Sequence, residues 1–302
     1  MVLAALHAVS LPAQEPSRAD QRQLVERRAR KLAQPVFQKA DWLTDYDQAR
    51  ARAKEEGKLV FACFTRSYIV CGPCETLENG ALADPGFPQF AKDVVLFLHV
   101  TSQVAGEPLP TLPQDKGLRS FPSLCFLDAD GNVVTQPRRH TVAAFAATHA
   151  RARTVVTVRA KVDKATPEER RELFLAELGL GLIPTGDIQA RADRVALTGA
   201  ERALVAGKLV DAEIDAVMAD VRTAGPDKTD RALAAIHEAG RKPSADVNPA
   251  YWVRLLQRAA KLRDGALADE AYAALLATHG ADAGAERALA AWKQLRDDAQ
   301  PK

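Results

Sequence analysis

The sequence predicts an α/β region built on a central mixed sheet flanked by helices, followed by an all-α region of helical hairpins. Between about residues 40 and 152, short apolar runs of strand type alternate with segments of helical pattern. From about residue 160 the strand signals vanish, and Ala- and Leu-rich helical segments are separated by Gly and Pro. A chain of 302 residues is long enough for two domains, predicted here at 39–155 and 160–302.

Two segments precede the predicted α/β region. Residues 1–20 are interpreted as the end of a secretory signal peptide plus linker, since the apolar stretch 2–13 ends near a possible cleavage point at Ala13. The stretch lacks a positive n-region. Either the true start of the protein lies upstream, or the stretch is a simple apolar tail. A periplasmic or exported location is therefore predicted, with the cytoplasm as the alternative. Residues 21–38 are predicted to hold a basic helix that docks through one thin apolar stripe.

The α/β elements follow in order. A helix over 46–56 ends at Gly57, and the apolar run 59–64 is typical of a buried strand. We then predict a helix from Glu75 to about Leu82 and a second strand over 94–100. A third strand ends at Leu127, the segment 128–132 forms a hairpin turn, and a last helix runs from Thr141 to about Arg151. The turn lacks the later oxygen ligands of a calcium loop, so no metal is expected there.

Cys71-Gly72-Pro73-Cys74 is the most informative motif and lies near the strand-to-helix junction. Two cysteines at this spacing can pair reversibly, and unpaired N–H groups at a helix start favour a thiolate at Cys71. One alternative is half of a zinc site, but Cys63 and Cys125 are isolated in apolar runs and no second close ligand pair is present. A purely structural disulfide is the other alternative. No metal is predicted.

Residues about 40 to 152 resemble the thioredoxin superfamily. Trp42 opens the segment, and the CGPC motif and the Phe121-Pro122 pair come in the order strand–helix–strand, then hairpin and helix. The resemblance implies a thioredoxin-like fold in which Pro122 is cis and packs beside the dithiol. It also implies that Cys71 is the nucleophile and that Cys74, buried, is the resolving cysteine.

The same resemblance implies how substrates are held. Phe121 and Pro122 would form a lip that aligns an extended client, with Gly72 and Pro73 completing the substrate-binding surface. No organic cofactor would be needed, because the electrons reside in the Cys71–Cys74 disulfide. The partners would be protein clients with thiols or disulfides, together with a redox partner.

The segment also departs from the superfamily pattern in four places. Val70 stands where Trp is usual before the first cysteine, and the link 65–70 is longer than usual. The strand residues 61–63 carry no carboxylate, whereas thioredoxins have a buried Asp near the dithiol that helps move the second proton. Glu75 stands where Lys is common, and its charge would raise the pKa of a nearby thiol. These departures indicate a slower or differently poised redox centre.

Cys63 and Cys125 lie on strands that the resemblance makes adjacent, so the two thiols are candidates for neighbours. Buried apolar surroundings raise a thiol pKa, and the preferred interpretation is two inert thiols that act as small hydrophobic residues.

The second half of the chain carries helical signals alone. Thr166-Pro167-Glu168-Glu169 is a helix start with an N-cap, a first-turn Pro and acidic residues. Paired helices of this size are similar to tetratricopeptide-like arrays, and no catalytic constellation stands out among them. The predicted helices are 167–178, 186–194, 199–205, 211–223, 227–239, 248–262, 264–279 and 283–298.

The first functional hypothesis is a thiol–disulfide oxidoreductase that acts through Cys71 and Cys74. The alternative is a scaffold or binding module in which the helical region binds proteins and the dithiol is weakly active or inactive. Delivery of copper or mercury through the dithiol is a third option. A net charge of +2 gives no electrostatic case for nucleic acid or anionic membranes. No apolar run is long enough for stable membrane insertion.

Overall fold

The computed structural model describes residues 18–280 and 286–300. The predicted signal-peptide remnant therefore lies outside the described residues, apart from 18–20, which begin the first helix.

A mixed five-stranded sheet forms the centre of the first region and confirms the predicted α/β class. The sheet order is β1-β3-β2-β4-β5, with β1 and β2 parallel to β3, β4 antiparallel to β2, and β5 antiparallel to β4. Strand β1 was not predicted, because two residues are too few to show a period of two. The strands are β1 (Trp42–Leu43), β2 (Val60–Arg66), β3 (Val95–Thr101), β4 (Ser123–Leu127) and β5 (Val133–Thr135).

Helices cover both faces of this sheet. They are α1 (Arg18–Leu32), α2 (Pro35–Gln38), α3 (Tyr46–Glu56), α4 (Gly72–Asn79), α5 (Phe87–Ala91), α6 (Leu112–Asp115) and α7 (Val142–Arg159). Side chains of β2 alternate between two buried clusters: Phe61 and Cys63 pack with residues of α4, α5 and α7, whereas Ala62 and Phe64 pack with residues of α3 and α6. Burial on both faces explains why β2 is a continuous apolar run in the sequence.

The helix predicted over 21–38 is divided into α1 and α2, because Pro35 favours the first position of a new helix, and the short helices α5 and α6 were not predicted. Two further helices differ from prediction in their bounds. Helix α4 begins at Gly72, three residues earlier than expected, because Pro73 is favourable in the first turn of a helix. Helix α7 continues to Arg159, about two turns beyond the predicted end. The β-branched run that ends α7 lowers helix propensity, but Val155 and Val158 are buried in a cluster with Leu173, and this packing outweighs the propensity.

The second region is entirely helical within the described residues, as predicted. Thr166 and Thr198 each form a complete capping box, which explains why two of the helices begin where they do. Two 3₁₀ turns, Val162–Lys164 and Thr185–Asp187, connect the elements. The helices are α8 (Pro167–Leu180), α9 (Ile188–Ala192), α10 (Gly199–Ala219), α11 (Val221–Ala224), α12 (Pro226–Glu238), α13 (Pro249–Leu262), α14 (Gly265–His279) and α15 (Glu286–Asp298).

Helix α10 corrects the prediction of two helices over 199–205 and 211–223. The chain does not break between them, although Gly207 lies in that interval. An added Cβ at Gly207 would stand 3.1 Å from the backbone nitrogen of Ser244. Gly207 is therefore a site of close packing between two segments rather than a helix terminator.

Helix α7 belongs to both regions. Phe145 and Ala152, nearer its N-terminus, are part of the sheet core, whereas Val155 and Val158 pack against α8. A second connection runs from the Arg139 guanidinium to the carbonyl of Thr278, at 2.6 Å. Among the described residues, no helix has the length and apolar character needed to cross a membrane.

Candidate functional site

Cys71 and Cys74 form a disulfide bond at the N-terminus of α4, with their Cα atoms 5.2 Å apart. Cys71 is the N-cap residue and Cys74 lies in the first turn, while Gly72 and Pro73 are the first two helical residues. The free N–H groups and the dipole of this helix start favour negative charge on a sulfur held there. The local sequence thus places both sulfurs at a helix start, a position where the backbone favours negative charge.

The two sulfurs differ in access. Cys74 is fully buried, and Cys71 is 4% exposed. Cys71 lines a cleft of about 520 Å³, whereas Cys74 does not. The loop before Cys71 holds Ile69 and Val70, which are exposed apolar residues at the edge of this cleft. A molecule that enters the cleft meets Cys71 first.

Phe121 and Pro122 lie beside the disulfide, and the peptide bond between them is cis. The carbonyl oxygen of Phe121 is 3.8 Å from the Cys71 sulfur, which has no proton in the disulfide, so this is a contact and not a hydrogen bond. Gly72 is exposed, and a Cβ there would meet nothing within 4 Å. The structure therefore brings together all six residues predicted for the site.

A second groove, of about 530 Å³, runs on the other side of the motif. Pro73 and Pro122 line it together with residues 138–140, and His279 from the end of α14 also contributes. The helical region thus reaches the surface next to the disulfide, which the sequence did not indicate.

A buried carboxylate lies on α4, although the strand residues 61–63 have none, as the sequence shows. Glu78 follows Cys74 by four residues, so both lie on the same buried face of the helix. Its carboxylate receives hydrogen bonds from Lys31 of α1, at 2.7 and 2.9 Å, and from the Thr65 hydroxyl, at 2.9 Å. Sequence reasoning missed Glu78; its spacing from Cys74 was the available signal, but Lys31 lies 47 residues away in sequence.

Cys63 and Cys125 lie on adjacent strands but on opposite faces of the sheet. Cys63 is paired in register with Leu124, and Cys125 with Ala62, so the two thiols belong to different core clusters. Burial raises the pKa of Cys125 to about 12, and burial together with the charge of Glu78 raises the pKa of Cys63 well above its usual range. The prediction that these thiols could be neighbours is wrong, because a one-residue offset turns them to opposite sides.

The Asp128–Asn132 segment forms the turn between β4 and β5. The Asp128 carboxylate accepts hydrogen bonds from the backbone and side-chain nitrogens of Asn132, which explains the acidic residue at this position. Across residues 18–280 and 286–300, no group of three or more His, Cys, Asp or Glu side chains is placed to hold a metal ion.

The sequence pattern of a family described as thioredoxin-like matches residues 41–129. Residues 41–129 form a thioredoxin-like domain. The resemblance of this segment to the thioredoxin superfamily is thereby confirmed. Among solved structures, one similar chain is the DsbH oxidoreductase, which is 23% identical with a TM-score of 0.29, over 32% of this chain and 71% of that chain. No curated protein matches the sequence. The thioredoxin-like domain contains every residue of the site except the contributions of α1, Gln34, residues 138–140 and His279.

Proposed function

We propose that this protein is a thiol–disulfide oxidoreductase that exchanges disulfides with protein clients through Cys71 and Cys74. One observation carries the proposal: a cysteine pair at the start of a helix in a thioredoxin-like domain, with one sulfur lining a cleft beside the Phe121 carbonyl. Cys71 is the nucleophile, since it is the sulfur that lines the cleft. Cys74, fully buried, is the resolving residue.

The exchange takes two steps when the protein acts as a reductant. The Cys71 thiolate attacks one sulfur of a client disulfide, forms a mixed disulfide and releases the other client sulfur as a thiolate. The Cys74 thiolate then attacks the Cys71 sulfur and releases the second client thiolate, which leaves the Cys71–Cys74 disulfide. Two electrons pass to the client, and its two thiolates take up protons. Oxidation of a client runs through the same steps in reverse.

The neighbouring residues bind and orient the client in this proposal. The backbone of the half-buried Phe121 and Pro122 aligns an extended segment, while the exposed Gly72 and Pro73 leave room for it to approach the sulfur. The disulfide is the only redox group required, so no organic cofactor or metal takes part, and a redox partner restores the starting state. The exported or periplasmic location stays a prediction.

Cysteine variants test this function directly. We expect Cys71→Ser to abolish reduction of insulin disulfides, and Cys74→Ser to accumulate a mixed disulfide because the resolving thiolate is gone. The Cys125→Ala variant is the control. It also removes one thiol, but Cys125 lies on the face of the sheet opposite to α4 and its two cysteines. Full activity in Cys71→Ser would overturn the proposal.

The alternative is a binding module with an inactive dithiol. The low exposure of Cys71 and the contribution of His279 to the neighbouring groove favour it. A redox titration in glutathione buffers separates the two functions. An oxidoreductase gives a reversible Cys71–Cys74 couple, near about −270 mV for a thioredoxin-like reductant or −120 mV for a strong oxidant. The binding module gives no reversible couple.

A further inference from the structure

The cleft beside Cys71 is walled by α1, which lies outside the thioredoxin-like segment 41–129. Arg27, Arg30 and Lys31 share one face of α1, because residues three and four apart are neighbours on a helix. Arg66, at the end of β2, also lines the cleft. Four cationic side chains thus line the cleft that contains Cys71.

Two carboxylates oppose these cations. Glu78 is held by Lys31 behind the cleft, and Glu75 lines the cleft itself. Arg30 lies 3.9 Å from Glu26, but both side chains are about 70% exposed, so this pair neutralises little of the charge. The cleft keeps an excess of positive charge, centred on Arg27 and Arg66.

Arg66 has no carboxylate partner among the described residues. Its guanidinium lies 5.8 Å from the ring centroids of Tyr68 and Phe121, which hold it between the cleft and the proposed client-binding lip. Arg27 donates one hydrogen bond to the Tyr68 carbonyl, at 2.7 Å, and this contact fixes its position over the same loop. Both guanidinium groups are therefore held in place, and neither has a carboxylate partner within residues 18–280 and 286–300.

The Arg27 and Arg66 guanidinium groups line the cleft, and a guanidinium can donate two parallel hydrogen bonds to a carboxylate. Ser67 and Gln34 also line the cleft, but the Ser67 hydroxyl, the Gln34 amide oxygen and the Arg66 Nε atom are shielded from solvent, so these three atoms do not contact a molecule in the cleft. The two guanidinium groups are therefore the donors that suit an acidic client.

We propose that this cleft binds a carboxylate side chain next to the client's disulfide, so that the protein selects acidic peptide segments. The inference rests on the proposed function and names its substrate class. Ile69 and Val70 supply apolar contact at the rim, and the carboxylate takes no part in the exchange itself. The carboxylate accepts charge-assisted hydrogen bonds from Arg66 and Arg27 and so positions the client sulfur at Cys71.

Peptide binding to the oxidised protein tests the cleft without any thiol–disulfide exchange. The probes are three fluorescent peptides of equal length in which Ser replaces the client cysteine and the two flanking residues are Glu, Gln or Lys. We expect the Glu peptide to bind roughly tenfold more tightly than the Gln peptide, and the Lys peptide to bind most weakly. The difference should shrink between 0.1 M and 1 M salt, where the Debye length falls from about 10 Å to about 3 Å.

Two variants locate the effect, and a third controls for net charge. Arg66→Gln should remove most of the preference for the Glu peptide, and Arg27→Gln, at an exposed position that carries little risk to folding, should remove part of it. Arg22→Gln makes the same change of charge on the same helix, at an exposed residue outside the cleft, and should keep the wild-type preference. Equal loss in all three variants would show a general charge effect and overturn the site.

Exchange rates with the matching peptide disulfides separate this inference from the proposed function. If the reduced protein reduces all three disulfides at equal rates and binds all three peptides equally, the cleft has no selectivity and only this inference fails. If no disulfide is reduced but the Glu peptide still binds selectively, the proposed function fails and the carboxylate site stands. Preferential reduction of the Glu-flanked disulfide, lost in Arg66→Gln, supports both.

Discussion

Lys31 and Glu78 form an ion pair that joins the N-terminal helix to the helix that carries both cysteines. The side chains are 11% and 2% exposed, and the Lys31 nitrogen is 2.7 Å from the carboxylate. Both charges have lost most of their hydration, so each depends on the other and on Thr65 for compensation. The position of α1, and with it one wall of the cleft, depends on this contact.

We expect Lys31→Met to lower the free energy of unfolding of the thioredoxin-like domain by roughly 3 kcal/mol, because it leaves a buried carboxylate without its cation. The double variant Lys31→Met/Glu78→Leu should lose less than the single variant, since no charge is then stranded. Urea unfolding followed by Trp42 fluorescence measures both, with Trp252 and Trp292 replaced by Phe. A single variant as stable as wild type would show that the pair is dispensable.

At the same scale, the six residues predicted for the site lie together, whereas the residues around them could not be predicted from the sequence. The CGPC spacing and the Phe121-Pro122 pair are local patterns, and a resemblance can place them. Arg66, Ser67 and Gln34 carry no such pattern, because their shared cleft exists only when α1 packs against the end of β2. The missing strand carboxylate was also read correctly, but a helix provides a buried carboxylate, Glu78, from a different direction.

At the scale of elements, α10 contains a glycine, Gly207, that the sequence suggests is a helix break but that lies inside a continuous helix. Gly207 is covered by the segment around Ser244, whose backbone N–H donates to Asp211 at 2.8 Å and whose hydroxyl also bonds that carboxylate. A segment held by two hydrogen bonds cannot easily move away from a new methyl group. The glycine therefore serves the contact between α10 and the chain before α13.

Gly207→Ala should lower the stability of the helical region by about 1 kcal/mol or more, because overpacking against a fixed backbone outweighs the gain in helix propensity. Gly199→Ala is the matched control in the same helix: its Cβ would meet nothing within 4 Å, so stability should stay the same or rise slightly. Thermal unfolding monitored by far-UV circular dichroism compares them. A Gly207→Ala protein more stable than wild type would contradict the close-packing interpretation.

Elements with strong local signals were predicted well. Strands β2 and β3 are apolar because both faces of the sheet are covered, and α8 begins at a capping box that is plain in the sequence. The failures have a common physical origin. Strand β1 is defined only by its pairing with β3, and the end of α7 is held by contacts with α8, so neither leaves a periodic pattern of its own.

At the scale of the whole molecule, α7 is one continuous helix whose residues belong to two hydrophobic cores. Ala152 lies in the sheet core and Val155 in the cluster with α8, while Val156 still packs against the sheet core, so the two cores meet along residues 152–156. A bend in the helix at this segment would weaken the contacts between the two cores. As long as it stays straight, unfolding of one region exposes apolar surface of the other, and the two should unfold together.

A proline at the junction tests this coupling. Arg153→Pro removes a helical hydrogen bond at an exposed position, at a cost of about 3 kcal/mol, whereas Arg153→Ala removes the same charge and keeps the helix. In Arg153→Ala, Trp42 fluorescence and far-UV circular dichroism should give one urea midpoint. In Arg153→Pro the two probes should separate, with much of the helical signal surviving the Trp42 transition. Coincident midpoints in the proline variant would mean that the regions are joined by other contacts.

The docking of α1 has a consequence for how such proteins can be re-engineered. The shared family pattern begins at residue 41, after the helix that supplies Arg27, Arg30 and Lys31. In the proposed function, the dithiol and Arg66 lie within the shared pattern, whereas Arg27, which would supply part of the client preference, lies before it. A graft of residues 18–40 onto another thioredoxin-like domain, with matching Thr, Arg and Glu at the positions of Thr65, Arg66 and Glu78, would transplant the charge preference and leave the dithiol untouched.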